Sequence, residues 1–131
     1  AKLLFDSSQI PGEIVDVLAI NTEVIANNYD SIQSLINGRF RALDYLAKNP
    51  HDAAIRMAKR TKVTPKQILD AFKGLDQPNL IQNQKLLNKS NPTLVNGMKK
   101  LVQIMVENKL MPKTIDPASI LDDRFVKNAK L

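Results

Sequence analysis

After the first twenty residues, apolar residues recur at the i, i+3 and i+4 spacing of one helix face. Two long helices are predicted, over residues 31–48 with Asp30 as the cap and over residues 92–108 starting at Pro92. Their apolar stripes are expected to lie in the core. These stripes consist of Ile32, Leu35, Ile36, Phe40, Leu43, Leu46 and Ala47 in the first helix and of Leu94, Met98, Leu101, Val102 and Met105 in the second.

Shorter periodic segments predict further helices, for a total of about six or seven. In one of them Ala54, Ile55 and Ala58 are expected to face inward. Thr64 followed by Pro65 combines an N-cap residue with proline in the first turn, which predicts another helix start. These helices are predicted over residues 22–28, 51–60, 64–74 and 78–87.

Only the first twenty residues show a strand pattern. Residues 3–5 are a short apolar run that polar residues 6–8 interrupt, and Pro11 with Gly12 predicts a turn. Residues 14–20 are β-branched and nearly continuous in apolar character, as in a strand that is covered on both faces. We therefore predict two short strands near the N-terminus of a mostly helical chain.

Composition permits one folded core and excludes several kinds of chemistry. The 131 residues are 44% hydrophobic, and their net charge of +6 attracts anions without specifying one. The chain contains no cysteine, which excludes a thiolate nucleophile, a disulfide and a cysteine-built zinc site. It also shows neither an apolar run of the roughly 20 residues that a membrane helix needs nor a signal peptide. Because it begins at Ala1, we expect further sequence upstream.

Catalysis by histidine or serine is not predicted. His51 is the only histidine, and no carboxylate or second histidine stands at catalytic or metal-binding spacing from it, so we interpret it as a solvent-facing helix-end residue. Ser7 and Ser8 lack the G-x-S-x-G elbow of a hydrolase nucleophile. We therefore expect no enzyme activity, no catalytic residue, no metal site and no cofactor.

The basic segment 56–72 supports an alternative function, since it resembles a helix-turn-helix. Ala58 takes the small-residue position of the first helix. Lys62 at the turn position that favours glycine, and the absence of interleaved aromatic residues, argue against this alternative, so nucleic acid is not expected as a partner. Lys66 and Gln67 are the residues expected to reach base edges. The competing interpretation is a solvated basic face on a helical hairpin. A small, basic nucleic-acid-binding module is thus the alternative.

Five stretches together resemble a known family. They are FDSSQIPGEIVDVLAIN at 5–21, SIQSLINGRFRALDYLAKNPHDAAIRMAKR at 31–60, VTPKQILDAFKGL at 63–75, LVQIMVENKL at 101–110 and LDDRFV at 121–126. In order and spacing they are similar to the C-terminal part of ABC-transporter solute-binding proteins of the nitrate, sulfonate and taurine type, which include thiamine-precursor binders. The resemblance covers essentially the whole chain. It implies a non-enzymatic solute-recognition component that works with an ABC permease in the membrane.

The resemblance also implies an α/β fold of the type II periplasmic-binding kind, with two lobes joined by crossing strands. Residues 1–20 would be the end of one lobe and the crossing strand, and residues 21–131 would be the helical part of the other lobe. The chain is expected to be one compact unit and a fragment of a longer two-lobe protein. The full-length protein is expected to be periplasmic, or anchored to the outer face of the cytoplasmic membrane.

A ligand site is predicted where the first strand would end, because ligands of open α/β sheets bind beyond the carboxyl ends of strands. The predicted ligand-binding residues, for a small anionic or polar solute, are Asp6, Ser7, Ser8 and Gln9. A turn that satisfies its own backbone explains the two serines equally well. Asp16, the one charge in its apolar run, is interpreted as a hinge residue. An unpaired apolar segment further predicts self-association of the isolated chain through the residues before Asn21.

Overall fold

A computed structural model describes residues 2–10, 14–88, 90 and 92–131. The chain divides into two compact units, one built from Ala1–Asn27 and Gln84–Asp123 and the other from Asn28–Asn83 and Arg124–Leu131. The turn predicted at Pro11 and Gly12 lies outside the described residues. The predicted division between residues 20 and 21 stays a prediction.

Within the described residues the regular structure is helical. Seven α-helices are found there, which confirms the predicted number. They are α1 (Thr22–Asn27), α2 (Tyr29–Lys48), α3 (Pro50–Thr61), α4 (Pro65–Phe72), α5 (Leu80–Leu86), α6 (Pro92–Glu107) and α7 (Arg124–Lys127). Two 3₁₀ turns, Ser7–Gln9 and Pro117–Ser119, accompany them. None of the helices in this part of the chain is long and apolar enough to cross a membrane.

The predicted α/β fold of the type II periplasmic-binding kind, with two N-terminal strands, is wrong. Residues 2–5 and 15–21 have no regular secondary structure, and most of their apolar side chains face solvent. Leu4 is 88% exposed and Val17 is 75% exposed. A strand is stabilised by hydrogen bonds to a neighbouring strand, and no described segment pairs with these residues. A β-branched apolar composition is therefore not sufficient to form a strand here.

Helices α3 and α4 pack through small residues. Ala54 is fully buried, and Ala58 and Ile68 are buried against it. Two alanines on one face of α3 allow Ile68 of α4 to approach closely. Thr64 begins α4 with a capping box, in which its side chain accepts from the Gln67 N–H at 3.2 Å and Gln67 Oε1 accepts from the Thr64 N–H at 2.8 Å. The predicted helix start at Thr64 is thereby confirmed.

Helix α7 packs against α2. Ile32 and Phe40 are the buried residues of α2, and Phe125 and Val126 are those of α7. The ring of Phe125 stacks on Tyr29, with 4.7 Å between the ring centroids and 28° between the planes. Aromatic packing thus joins the last helix to the first turn of the longest one.

The predicted apolar stripes are only partly buried. Leu35 of α2 is 60% exposed, Leu101 of α6 is 56% exposed, and Ala47 is also exposed, so their predicted burial is wrong. The other residues of both stripes are buried or half-buried. Ile55 of α3, predicted to face inward, is 49% exposed. A helix face is buried only where another element covers it, and apolar spacing alone does not show how wide that cover is.

The predicted ends of the helices lie within two residues of the observed ends, but one predicted cap is wrong. Helix α2 gives way to α3 at Asn49, and α6 begins at Pro92, as predicted. Asp30 is not the cap of α2, because Asn28 holds the N-cap position and Asp30 lies in the first turn. A carboxylate in the first turn still interacts favourably with the positive end of the helix dipole.

Candidate functional site

The four predicted ligand-binding residues lie together on one turn. Asp6 caps the 3₁₀ turn Ser7–Gln9: its carboxylate accepts from the Ser8 N–H at 2.9 Å and also from the Ser8 hydroxyl. The Gln9 N–H donates to the Asp6 carbonyl at 3.2 Å. All four side chains are exposed. The structure therefore brings these residues to one accessible point, and their binding of a ligand stays a prediction.

The two serines differ in their surroundings. The Ser8 hydroxyl donates to Asp6, as in a turn that satisfies its own polar groups. The Ser7 hydroxyl and the Gln9 side-chain amide make no hydrogen bond to the described part of the chain. A molecule that approaches the turn therefore meets the Ser7 hydroxyl, the Gln9 amide and the remaining lone pairs of the Asp6 carboxylate.

The charge of the turn comes from Asp6. The Ser8 hydroxyl, and next the Ser8 backbone N–H, lower the pKa of Asp6 below its ordinary value of 3.8 because both donate to the ionised carboxylate. Asp6 is therefore negatively charged at neutral pH. It attracts ammonium groups and other hydrogen-bond donors, and it repels a bare anion at short range.

Asp16 and His51 are both exposed side chains. Asp16 makes no hydrogen bond or ion pair with the residues that the structure describes, and its predicted hinge role stays a prediction. His51 lies in the first turn of α3, which confirms its interpretation as a solvent-facing helix-end residue. Across the described ranges, no three His, Asp or Glu side chains come together in a way that would hold a metal ion.

The site of the alternative function, nucleic-acid binding, is the helical hairpin of α3 and α4. Lys62, between the two helices, has φ 58° and ψ 32°, the left-handed conformation that glycine adopts most readily. The side chains expected to reach bases are engaged: Gln67 in the capping box with Thr64, and Lys66 Nζ with Asp70 at 2.7 Å. Lys62 thus adopts a backbone conformation typical of glycine, and Lys66 and Gln67 of α4 are each bonded to a nearby residue. Nucleic-acid binding by this hairpin stays a prediction.

A polar cluster that was not predicted from the sequence joins α2 to α3. The Tyr45 hydroxyl donates to the Asp52 carboxylate, and Arg56 Nε donates to the same carboxylate at 2.6 Å. The Arg56 guanidinium also lies over the Tyr45 ring, 5.7 Å from its centroid. The i, i+4 spacing of Asp52 and Arg56 is a readable signal, but the position of Tyr45 depends on how the helices pack.

An apolar groove opens beside this cluster. Its volume is about 400 Å³. Apolar side chains of α2, α3 and α4 form most of its wall, and two arginines lie at it. The apolar residues that line it include Leu43, Leu46, Met57 and Phe72. This groove is a further feature that the sequence analysis did not predict.

The helical hairpin is expected to lose stability at acidic pH. The Tyr45 hydroxyl, and next Arg56, lower the pKa of Asp52, while Lys66 and then Lys73 lower the pKa of Asp70. A carboxyl group with a lowered folded-state pKa stabilises the fold above its unfolded pKa and loses that contribution as the pH falls through the folded pKa. The melting temperature should therefore be flat near neutral pH and fall below about pH 4.

Circular dichroism melts across this pH range test the expectation. Asp70→Asn should flatten part of the acid-dependent decrease, and added salt should act in the same direction because these pairs are exposed. Asp76→Asn changes an exposed carboxyl outside these pairs and serves as the matched control. An unchanged acid profile in Asp70→Asn would show that its ion pairs do not contribute.

No family model, no curated protein and no solved structure matches this chain. The resemblance to solute-binding proteins therefore depends on the five sequence stretches alone. What the turn at residues 6–9 could bind is inferred from the chemistry and geometry of its own side chains.

Proposed function

We propose that this chain is part of the solute-recognition component of an ABC importer. In this role it has no enzyme activity, works with a permease in the membrane and acts outside the cytoplasmic membrane. The order and spacing of the five stretches support the proposal. The observation that carries it is the accessible turn at residues 6–9, where a charged carboxylate is exposed together with a hydroxyl and an amide that have no hydrogen-bond partner among the described residues.

The apolar residues on both sides of this turn also support the proposal. Leu3 and Leu4 precede it and Ile14 and Val17 follow it, and each is more than two-thirds exposed (71%, 88%, 71% and 75%). Burial of one such side chain contributes about 1.5–3 kcal/mol, so a protein rarely leaves several of them in water. We expect another part of the importer component to cover them and to form the second wall of the solute site.

The charge of the turn restricts the solute. An ionised Asp6 repels nitrate, which carries no donor group. Taurine has an ammonium group that can donate to Asp6, and its sulfonate oxygens can accept from the Ser7 hydroxyl and the Gln9 amide. Within the solutes that the resemblance suggests, the turn therefore favours a small molecule that combines an anionic group with a donor group.

Isothermal calorimetry on the product of the whole reading frame tests the function. Taurine is expected to bind and nitrate to bind more weakly. Asp6→Asn should weaken taurine binding about 10- to 100-fold, because a hydrogen bond to a charged group contributes about 1.5–3 kcal/mol. Ser7→Ala should have a smaller effect in the same direction.

Matched controls separate recognition from general damage to the fold. Ser34→Ala and Asp30→Asn make the same changes at exposed positions of α2 and should leave binding unchanged. Binding of none of taurine, alkanesulfonates, nitrate and aminopyrimidines would contradict the proposed function. Equal taurine affinity in wild type and Asp6→Asn would contradict the role of the turn.

A further inference from the structure

The positive charge of the chain is concentrated in one of its two units. The unit of residues 28–83 and 124–131 contains twelve Lys and Arg against five Asp, a net charge of +7. The other unit contains seven Lys and Arg against eight Asp and Glu, a net charge of −1. The positive net charge of the chain therefore comes from the unit that contains α3 and α4.

Part of this charge lies in the last two turns of α3 and in the residues that follow the helix. We call this segment the basic edge, and it consists of Ile55, Lys59, Arg60, Lys62 and Val63. All five side chains are exposed, and Ile55 and Val63 are 49% and 41% exposed although they are aliphatic. Ile55 and Lys59 lie one turn apart on α3, and the left-handed Lys62 continues the surface toward Val63.

Within the described residues, the cations of the basic edge have no carboxylate at ion-pair distance. Lys59, Arg60 and Lys62 form no ion pair with any described residue, although Lys59 contributes to the low pKa of Asp52 through its charge. Elsewhere in the same unit, four basic residues each lie within 2.8 Å of an aspartate, namely Lys48, Arg56, Lys66 and Lys73. The charge of the basic edge is thus available to an external anionic partner.

We propose that the basic edge binds the surface of a membrane rich in anionic phospholipids. Each Lys or Arg near such a surface raises the binding affinity roughly fivefold, and exposed aliphatic side chains add to it by entering the boundary between headgroups and acyl chains. Ile55 and Val63 flank the three cations in the sequence, so that cationic and aliphatic side chains are exposed together within residues 55–63.

A duplex nucleic acid fits the same surface less well. Phosphate contacts use the cations but gain nothing from two exposed aliphatic residues. Base reading requires free polar side chains at the start of α4, where Gln67 is held by Thr64 and Lys66 by Asp70. The membrane proposal is independent of the solute-binding proposal, because the two use different residues.

Co-sedimentation with lipid vesicles tests the proposal. The whole chain should bind phosphatidylcholine vesicles that contain about one-third phosphatidylglycerol, bind pure phosphatidylcholine far more weakly, and lose affinity as salt rises. The triple variant Lys59→Gln/Arg60→Gln/Lys62→Gln should bind the anionic vesicles about 100-fold more weakly, which corresponds to about 3 kcal/mol. Ile55→Ser/Val63→Ser should weaken binding several-fold at constant charge.

The matched control is Lys2→Gln/Lys99→Gln/Lys113→Gln, which removes the same charge at exposed positions of the other unit and should keep most of the affinity. Circular dichroism establishes that each variant is folded, and Arg60→Gln alone provides a milder variant. Equal loss in both triple variants, or binding that does not depend on phosphatidylglycerol, would overturn the proposal. Fluorescence anisotropy with a mixed-sequence DNA duplex completes the test, since salt-sensitive DNA binding without vesicle binding would assign the basic edge to nucleic acid instead.

Discussion

Replacing Phe125 with alanine is expected to lower the free energy of unfolding by about 3–5 kcal/mol. The Phe125 side chain is 4% exposed and its ring stacks on Tyr29. Its main-chain carbonyl accepts from Gln33 Nε2 at 3.0 Å, so the backbone of α7 is also bonded to α2. Removing the ring leaves a cavity next to α2 that the surrounding side chains can close only in part.

Urea unfolding followed by circular dichroism measures this effect. Phe125→Leu keeps most of the apolar volume and should lose less than half as much free energy. Leu35→Ala truncates a side chain of α2 that is 60% exposed and should change stability by no more than about 0.5 kcal/mol. A loss below about 1 kcal/mol for Phe125→Ala would contradict the packing of α7 against α2.

Replacing Ile68 with alanine is expected to lower the free energy of unfolding by about 2–5 kcal/mol. Ile68 is the buried residue of α4, and it packs on Ala54 and Ala58 of α3. Both neighbours are already small, so neither can fill the space that the missing side chain leaves. Met57 and Phe72 lie at the border of this cluster and can relax only part of the way into it.

Thermal unfolding and amide hydrogen exchange test this second expectation. The Lys62 N–H donates to the Ala58 carbonyl at 3.0 Å, and its exchange should accelerate in Ile68→Ala because the hairpin opens more often. Ile55→Ala removes the same atoms from a half-exposed position of α3 and should have a much smaller effect. Equal effects of the two substitutions would show that α3 and α4 do not share a core.

The helix ends could be predicted because their causes are local. The Thr64 side chain accepts from the backbone N–H of a residue three positions later. Proline has no backbone N–H, so Pro65 leaves no donor unsatisfied in the first turn. Pro92 likewise opens α6. Such helix-end signals depend on residues a few positions away in the sequence, and they do not depend on tertiary packing.

A turn that satisfies its own backbone is one of the two interpretations that the sequence allows for Ser7 and Ser8, and its causes are also local. Asp6, Ser8 and Gln9 lie within four consecutive residues, and the hydrogen bonds that form the turn join residues two or three positions apart. The cluster of Tyr45 with Asp52 and Arg56 was not predictable, because Tyr45 reaches the carboxylate from a different helix.

In the described residues, the number of helices and most of their ends follow from the local sequence. Tertiary packing sets which apolar faces are covered, so that Phe40 is buried while Leu35 on the same helix is exposed. It also decided that residues 14–20, despite a strand composition, form no strand. Helical hydrogen bonds join residues four positions apart, whereas burial and sheet pairing need a second segment that the local sequence does not specify.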